Sequence, residues 1–287
     1  MRLQEKARTV VAPLTTTIGA EVSGIDLSRP SAEDIAVIGD ALLAHKVVFF
    51  RDQRLDDRAQ RDFAASFGQP QRFAFGGPVD DSVPEVHAIT TGGPGPKIGN
   101  ADIWHSDATF MQEPPMGSVL RAVQLPLCGG DTLFANMEAA YDALSSPIQR
   151  IVDELSATHD FTNSHAHRRP LHDQYPPVTH PVVRVHPVTG RRSLFVNRIF
   201  TVSIDELNDR ENAALLSFLC DHVRSPDFQC RFSWRPGSVA FWDNRCTQHY
   251  AVADYSDTRV MHRVVISGDR PRGIGESKAG SSKEASA

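Results

Sequence analysis

Residues 104–107 read Trp104-His105-Ser106-Asp107. On an extended strand, side chains two residues apart point to the same face, so His105 and Asp107 project together. An imidazole and a carboxylate side by side are two ligands for one metal ion, and a site needs a third. The candidate is His249, in Trp242-Asp243-Asn244-Arg245-Cys246-Thr247-Gln248-His249-Tyr250. Two imidazoles and one carboxylate, with open positions left over, form the facial set of non-heme Fe(II) and oxygen chemistry. Catalytic zinc also uses two His and one carboxylate, so a zinc hydrolase is the competing assignment. Alone, the His-x-Asp spacing is weak, because a buried His paired with an Asp is a common structural arrangement. The reading demands a fold that carries residue 249 to residues 105 and 107.

Further along stands Asp257-Thr258-Arg259-Val260-Met261-His262-Arg263-Val264-Val265-Ile266, which ends as an apolar, strand-like run. Alternation puts Arg259, Met261 and Arg263 on one face. Two inward-facing arginines are costly to bury unless anions meet them. A guanidinium fork suits a carboxylate or a sulfonate. A catalytically silent β-barrel that binds an anion through Arg259 and Arg263 is therefore a second alternative.

Taken together, these stretches resemble the taurine/alpha-ketoglutarate dioxygenase family, which includes alkylsulfatase and phenoxyalkanoate dioxygenase relatives. The motifs stand in order: Trp-His-Ser-Asp at 104–107, Gly-Gly-Asp-Thr at 129–132, Trp-Asp-Asn-Arg at 242–245, then His249, Arg259 and Arg263. The resemblance implies Fe(II) held by His105, Asp107 and His249 as the catalytic centre. It implies 2-oxoglutarate as cosubstrate, its far carboxylate gripped by Arg259 and Thr132, with dioxygen at the last open position. The implied reaction yields succinate and carbon dioxide and hydroxylates a carbon of a small organic anion: a sulfonate, sulfate ester or carboxylate. Where that carbon bears a heteroatom, the product can collapse to an aldehyde. Related halogenases carry a small residue in place of the carboxylate, so Asp107 points to hydroxylation. Arg263 matches the arginine that binds the substrate anion, and Asn244 is expected to orient the ligands. Phe161 and Phe200 fall where family members line the pocket with aromatics, with core packing as the plain alternative. Two positions depart from the taurine enzymes. Ala101 replaces an Asn, and Phe73 replaces a polar His of the pocket. Both favour an anion more apolar than taurine.

The chain has 287 residues, a formal net charge of −5 and 23% charged residues. That is ample for one buried core, and bulk charge gives no reason to expect nucleic acid. No apolar run is long enough to span a bilayer. The amino terminus lacks a secretory apolar segment, and the four cysteines form no CxxC pair. A cytoplasmic protein with reduced thiols is expected. Its expected partners are a small anionic substrate and, at most, further copies of itself.

Element by element, residues 18–27 read as a strand pair or a bent strand. Ser31 with Asp34 caps a helix, 47–50 is a short apolar strand, and 56–67 is an amphipathic helix. Residues 69–101 are rich in Gly and Pro and read as one long loop, a mobile lid over the site. Strands follow at 119–123 and 132–135, helices at 137–144 and 146–155, and a hairpin over 180–196. A helix over 205–224 turns Leu215, Leu216, Phe218, Leu219 and Val223 inward. Strands at 228–234, 238–242 and 259–267 complete the run. His165 and His167 read as solvated loop residues rather than a second metal pair. The fold expected is mainly β with flanking helices: an antiparallel double sheet, the double-stranded β-helix of jelly rolls and cupins. One domain spans 1–270, and 271–287 reads as a disordered tail.

Overall fold

Val47-Val48-Phe49-Phe50 has no polar face, and the fold covers both of its sides. Val48 and Phe50 face one core, with Ile38 and Leu42 of helix Ala32–His45, Phe63 of helix Asp57–Ala65, and Val119 and Phe241. Val47 and Phe49 face another, with Leu120, Phe134, Trp242 and Met261. Each such fully buried side chain is worth about 1.5–3 kcal/mol relative to exposure. The strand is thus the centre of a layered arrangement of helices, a large sheet and a second sheet in a computed structural model describing residues 8–72, 77–92, 101–165 and 173–276.

Among the described residues the large sheet has eight strands. From one edge the order is Val10–Pro13, Ala20–Ser23, Val47–Phe50, Val239–Asp243, Gly117–Gln124, Arg259–Ile266 and Pro70–Gln71, and Val86–Thr91 also pairs with Arg259–Ile266. All pairs are antiparallel except Ala20–Ser23 with Val47–Phe50, which run parallel because helix Ala32–His45 connects them. The expectation of a purely antiparallel sheet is corrected at this point. Facing the large sheet is a three-stranded one, with Thr132–Asn136 between Gln229–Phe232 and Thr247–Ala251. Phe134 joins the two layers, with its ring 5.6 Å from those of both Phe49 and Trp242.

Helix Ala32–His45 starts at the expected cap: Asp34 N donates to Ser31 Oγ, and Ser31 N donates to Asp34 Oδ2. Several other expectations are revised. The 69–101 stretch is not one loop. Its single apolar run, Val86–Thr91, is a strand in register with Arg259–Val264, and a peptide that completes a sheet edge there is no idle connector. The last long helix begins at Asp209, where Asn208 and Glu211 form a capping box, and Thr201–Ile204 before it is a strand. Phe218 is 47% exposed rather than buried, since it lies off the stripe formed by Leu215, Leu216 and Leu219. The proposed tail starts too early: Pro271 is buried, and Val185 N donates to the Arg272 carbonyl at 2.8 Å. Cys220, Cys230 and Cys246 are buried free thiols, while Cys128 is exposed. No helix among the described residues is long and apolar enough to cross a membrane.

Candidate metal centre and active site

His249 lies on strand Thr247–Ala251, an element the apolar pattern does not announce because Thr247-Gln248-His249 is polar yet buried. His105 meets it through a single antiparallel bridge: His249 N donates to His105 O at 2.8 Å, and His105 N donates to His249 O at 3.2 Å. The expected strand does not continue past that bridge. The chain turns over 107–110, with Ala108 at φ 51°. Asp107 is returned to the site by Asn244 instead. Asp107 N donates to Asn244 Oδ1 at 2.7 Å, and Asn244 Nδ2 donates to the carbonyls of Asp107 and Pro115 at 3.0 and 3.1 Å. The orienting role expected of Asn244 is thus a clamp on the Asp107 backbone.

The three side chains converge. His105 Nε2 and His249 Nε2 each lie 4.0 Å from Asp107 Oδ1, and all three ligand atoms fall within 4.8 Å of one another. The His105 Nδ1–H donates to the Ile103 carbonyl at 2.7 Å, since a carbonyl can only accept, and this leaves Nε2 with its lone pair for a metal. Burial holds both imidazoles neutral, lowering His249 to about 3 with help from His105. Burial opposes ionisation of Asp107, but Arg263, His249 and His105 outweigh it and hold the carboxyl well below its usual range. Two neutral imidazoles and one carboxylate, all deprotonated at neutral pH, fit a divalent ion.

A second cluster, His186, Asp243 and Cys246, also brings ligand atoms within 4.8 Å. It does not fit a metal. His186 Nδ1 accepts from the backbone N–H groups of Val188 and Thr189, so Nε2 carries the proton that it donates to Asp243. Arg245 takes both oxygens of the same carboxylate, at 2.8 and 2.6 Å. These groups satisfy one another and brace the turn before the His249 strand.

Beside the triad lies a cavity of about 210 Å³, lined by His105, His249, Thr132, Phe134, Arg259 and Arg263 among others. Arg259, Met261 and Arg263 all face it, as alternation predicts. Arg259 is 4% exposed, and its Nε and Nη2 meet no acceptor among the described residues. Arg263 is engaged: Nη1 donates to Asp107 Oδ1 at 2.9 Å and Nε donates to His87 Nε2 at 3.0 Å. Phe161 and Phe200 pack on Phe110, with centroids 5.0 and 4.9 Å apart, in a separate cluster with Ala108 and Ile199. Neither is among the described residues that line the cavity. Phe73, His167 and the side chain of His165 lie outside the described residues. Sequence reasoning did not find Ser118, whose Oγ donates to Asp107 Oδ2 at 3.3 Å, although a serine heading an apolar strand is a signal. Nor did it find His87, Trp234 or Tyr255, which carry no motif; Tyr255 lines the cavity with its hydroxyl 2.5 Å from Thr91 Oγ1.

Residues 11–265 match the family model described as taurine catabolism dioxygenase TauD, TfdA family. The chain belongs to this family. It is 37% identical to an alpha-ketoglutarate-dependent sulfate ester dioxygenase from Pseudomonas putida, over 92% of this chain and 91% of that protein. It is 36% identical to an alkylsulfatase from Acinetobacter baylyi, over 89% and 84%. A solved taurine dioxygenase from Burkholderia xenovorans superposes with TM-score 0.81 at 39% identity, covering 93% of each chain. As a member of the TauD/TfdA family, the protein is a dioxygenase that uses Fe(II), 2-oxoglutarate and dioxygen. The zinc hydrolase and the silent barrel fall away.

Proposed function

We propose that this dioxygenase hydroxylates a small organic anion of the sulfate-ester, sulfonate or aryloxy-carboxylate class, and that its eight-stranded sheet and the three-stranded sheet holding Thr132–Asn136 form the double-stranded β-helix of jelly rolls. His105, Asp107 and His249 hold Fe(II), and the bound iron with 2-oxoglutarate supplies the oxidant that removes hydrogen from a substrate carbon. The observation that carries the reading is Arg259. It offers two buried, unanswered donor nitrogens in the cavity that also holds the metal triad and the Thr132 hydroxyl. Tyr255 answers part of the guanidinium, but buried donor nitrogens without an acceptor are costly, and a carboxylate taking Nε and Nη2 removes that cost. The far carboxylate of 2-oxoglutarate is such a group.

Arg263 faces the substrate anion across the cavity while its Nε stays on His87. The cavity wall includes Ala101, Leu120 and Ile89, with no side-chain amide at 101 to bond a polar headgroup. That favours an alkyl or aryl anion over taurine. With a sulfate ester, the carbon next to the ester oxygen is hydroxylated and collapses to an aldehyde with release of sulfate. 2-oxoglutarate and dioxygen leave as succinate and carbon dioxide plus the inserted oxygen.

The test is a panel of alkyl sulfates, sulfonates, aryloxy acids and taurine, assayed for succinate release with Fe(II) and 2-oxoglutarate. At least one longer anion should be turned over better than taurine. Taurine as the best substrate would refute the substrate assignment. Anaerobic addition of 2-oxoglutarate to the Fe(II) protein should raise a visible charge-transfer band in native protein, and Arg259→Ala should require far more 2-oxoglutarate to reach it.

A further inference from the structure

Trp234 lies just beyond strand Gln229–Phe232 and is half-buried, and it does not itself line the cavity. Its indole Nε1–H donates to Thr132 Oγ1 at 3.0 Å. An indole N–H can only donate, so the Thr132 oxygen is fixed as the acceptor in this bond. A hydroxyl carries one proton. With the oxygen occupied from behind by Trp234, that proton is directed elsewhere, and Thr132 borders the cavity shared with Arg259. The same indole stands under the guanidinium: Arg259 Cζ is 5.7 Å from the Trp234 ring centroid, within cation–π range. The ring is anchored in turn, edge-on to Phe232 at 5.0 Å, and Phe232 stacks on Phe49 at 4.0 Å. One side chain therefore touches both groups that the preceding section assigns to the cosubstrate's far carboxylate.

We propose that Trp234 is a positioning residue of the cosubstrate site: it occupies one lone pair of the Thr132 hydroxyl, leaving its proton to be donated into the cavity, and seats the Arg259 guanidinium beside it, so that a diacid finds both aimed at one carboxylate. The inference rests on the assignment of Thr132 and Arg259 to 2-oxoglutarate. A merely structural tryptophan would affect folding without distinguishing one 2-oxo acid from another.

The experiment is calorimetric titration of the Mn(II)-loaded protein with N-oxalylglycine, the unreactive amide analogue of 2-oxoglutarate. Trp234→Phe keeps an aromatic ring and loses the N–H. Its Kd for N-oxalylglycine should rise about tenfold, as for a lost hydrogen bond to a group that holds a charge. Mn(II) affinity without the analogue should stay within twofold. Pyruvate, a 2-oxo acid with no far carboxylate, should compete equally well for native and variant protein. In a Thr132→Val background, Trp234→Phe should add no more than twofold, because the hydroxyl it orients is gone. Equal N-oxalylglycine affinity in native and Trp234→Phe protein, or the same loss in both backgrounds, would overturn the inference. Should Trp234→Phe fail to fold, Thr132→Val alone must show the selective loss for N-oxalylglycine over pyruvate, and no such loss overturns it equally. Native protein that fails to bind N-oxalylglycine at all would instead overturn the cosubstrate assignment.

Discussion

The Asp107 carboxylate meets four groups. Arg263 and Ser118 donate to it, and the imidazoles of His105 and His249 share the space before Oδ1. Removing it deletes a third of the ligand set and the charge that Arg263 answers. Asp107→Ala is expected to bind no Fe(II) in anaerobic equilibrium dialysis at concentrations that saturate native protein; retained stoichiometric iron would contradict the ligand assignment. Asn244 reaches the site through the Asp107 main chain, by two buried hydrogen bonds, while a third ties its amide to the Pro115 carbonyl. Asn244→Ala should leave the ligands in place and weaken metal binding about 10–100-fold, as loss of ligand-orienting groups does elsewhere. The three candidate ligands were legible because residue types and their spacing carry coordination chemistry. The engagement of Arg263 by Asp107 and His87 was not, since His87 becomes its partner only through the cross-strand register Arg263↔His87.

Among the elements, strand Gly117–Gln124 does the most to place the site. It lies between the strand ending in Trp242-Asp243 and the one bearing both arginines. Its first residue has no room for a side chain: a Cβ on Gly117 would sit 2.4 Å from the Trp242 carbonyl oxygen. Backbone cannot yield as a flexible side chain can, so Gly117→Ala forces the strands apart and should cost about 1–3 kcal/mol. A urea midpoint lowered at unchanged slope would show it, and an unchanged midpoint would show that the sheet adapts freely. Strands with an apolar rhythm, such as Val47–Phe50 and Arg259–Ile266, could be read from the chain. Thr247–Ala251 could not, because its polar residues are buried by function and by pairing with Thr132–Asn136 rather than by hydrophobicity. Val86–Thr91 was hidden for a different reason: short and flanked by Gly and Pro, it becomes a strand only because Arg259–Val264 offers it a free edge.

Across the whole molecule, burial of histidine sets an acid limit on stability. His87 is lowered to about 3 and His180 to about 4 from an ordinary 6.5, both chiefly by burial. The unfolded chain therefore takes up protons that the folded chain refuses between pH 6.5 and those values. Stability is fully present above about pH 6.5 and is lost as pH falls through that window, each group contributing up to about 1.4 kcal/mol per pH unit. The urea midpoint of metal-free protein should fall steadily from pH 6.5 to 4.5; a flat midpoint over that range would contradict the burial argument. By itself the sequence determined the candidate ligand set, the capped first helix, the faces of the apolar strands and the common face of Arg259, Met261 and Arg263, because each follows from local geometry and residue type. Only the tertiary structure decided that residue 105 pairs with residue 249, that Asn244 and not strand continuity aims Asp107, and that Trp234 and Thr132 meet. Those contacts join segments far apart in the chain, and sheet register, fixed by the burial of both faces at once, is what selects them.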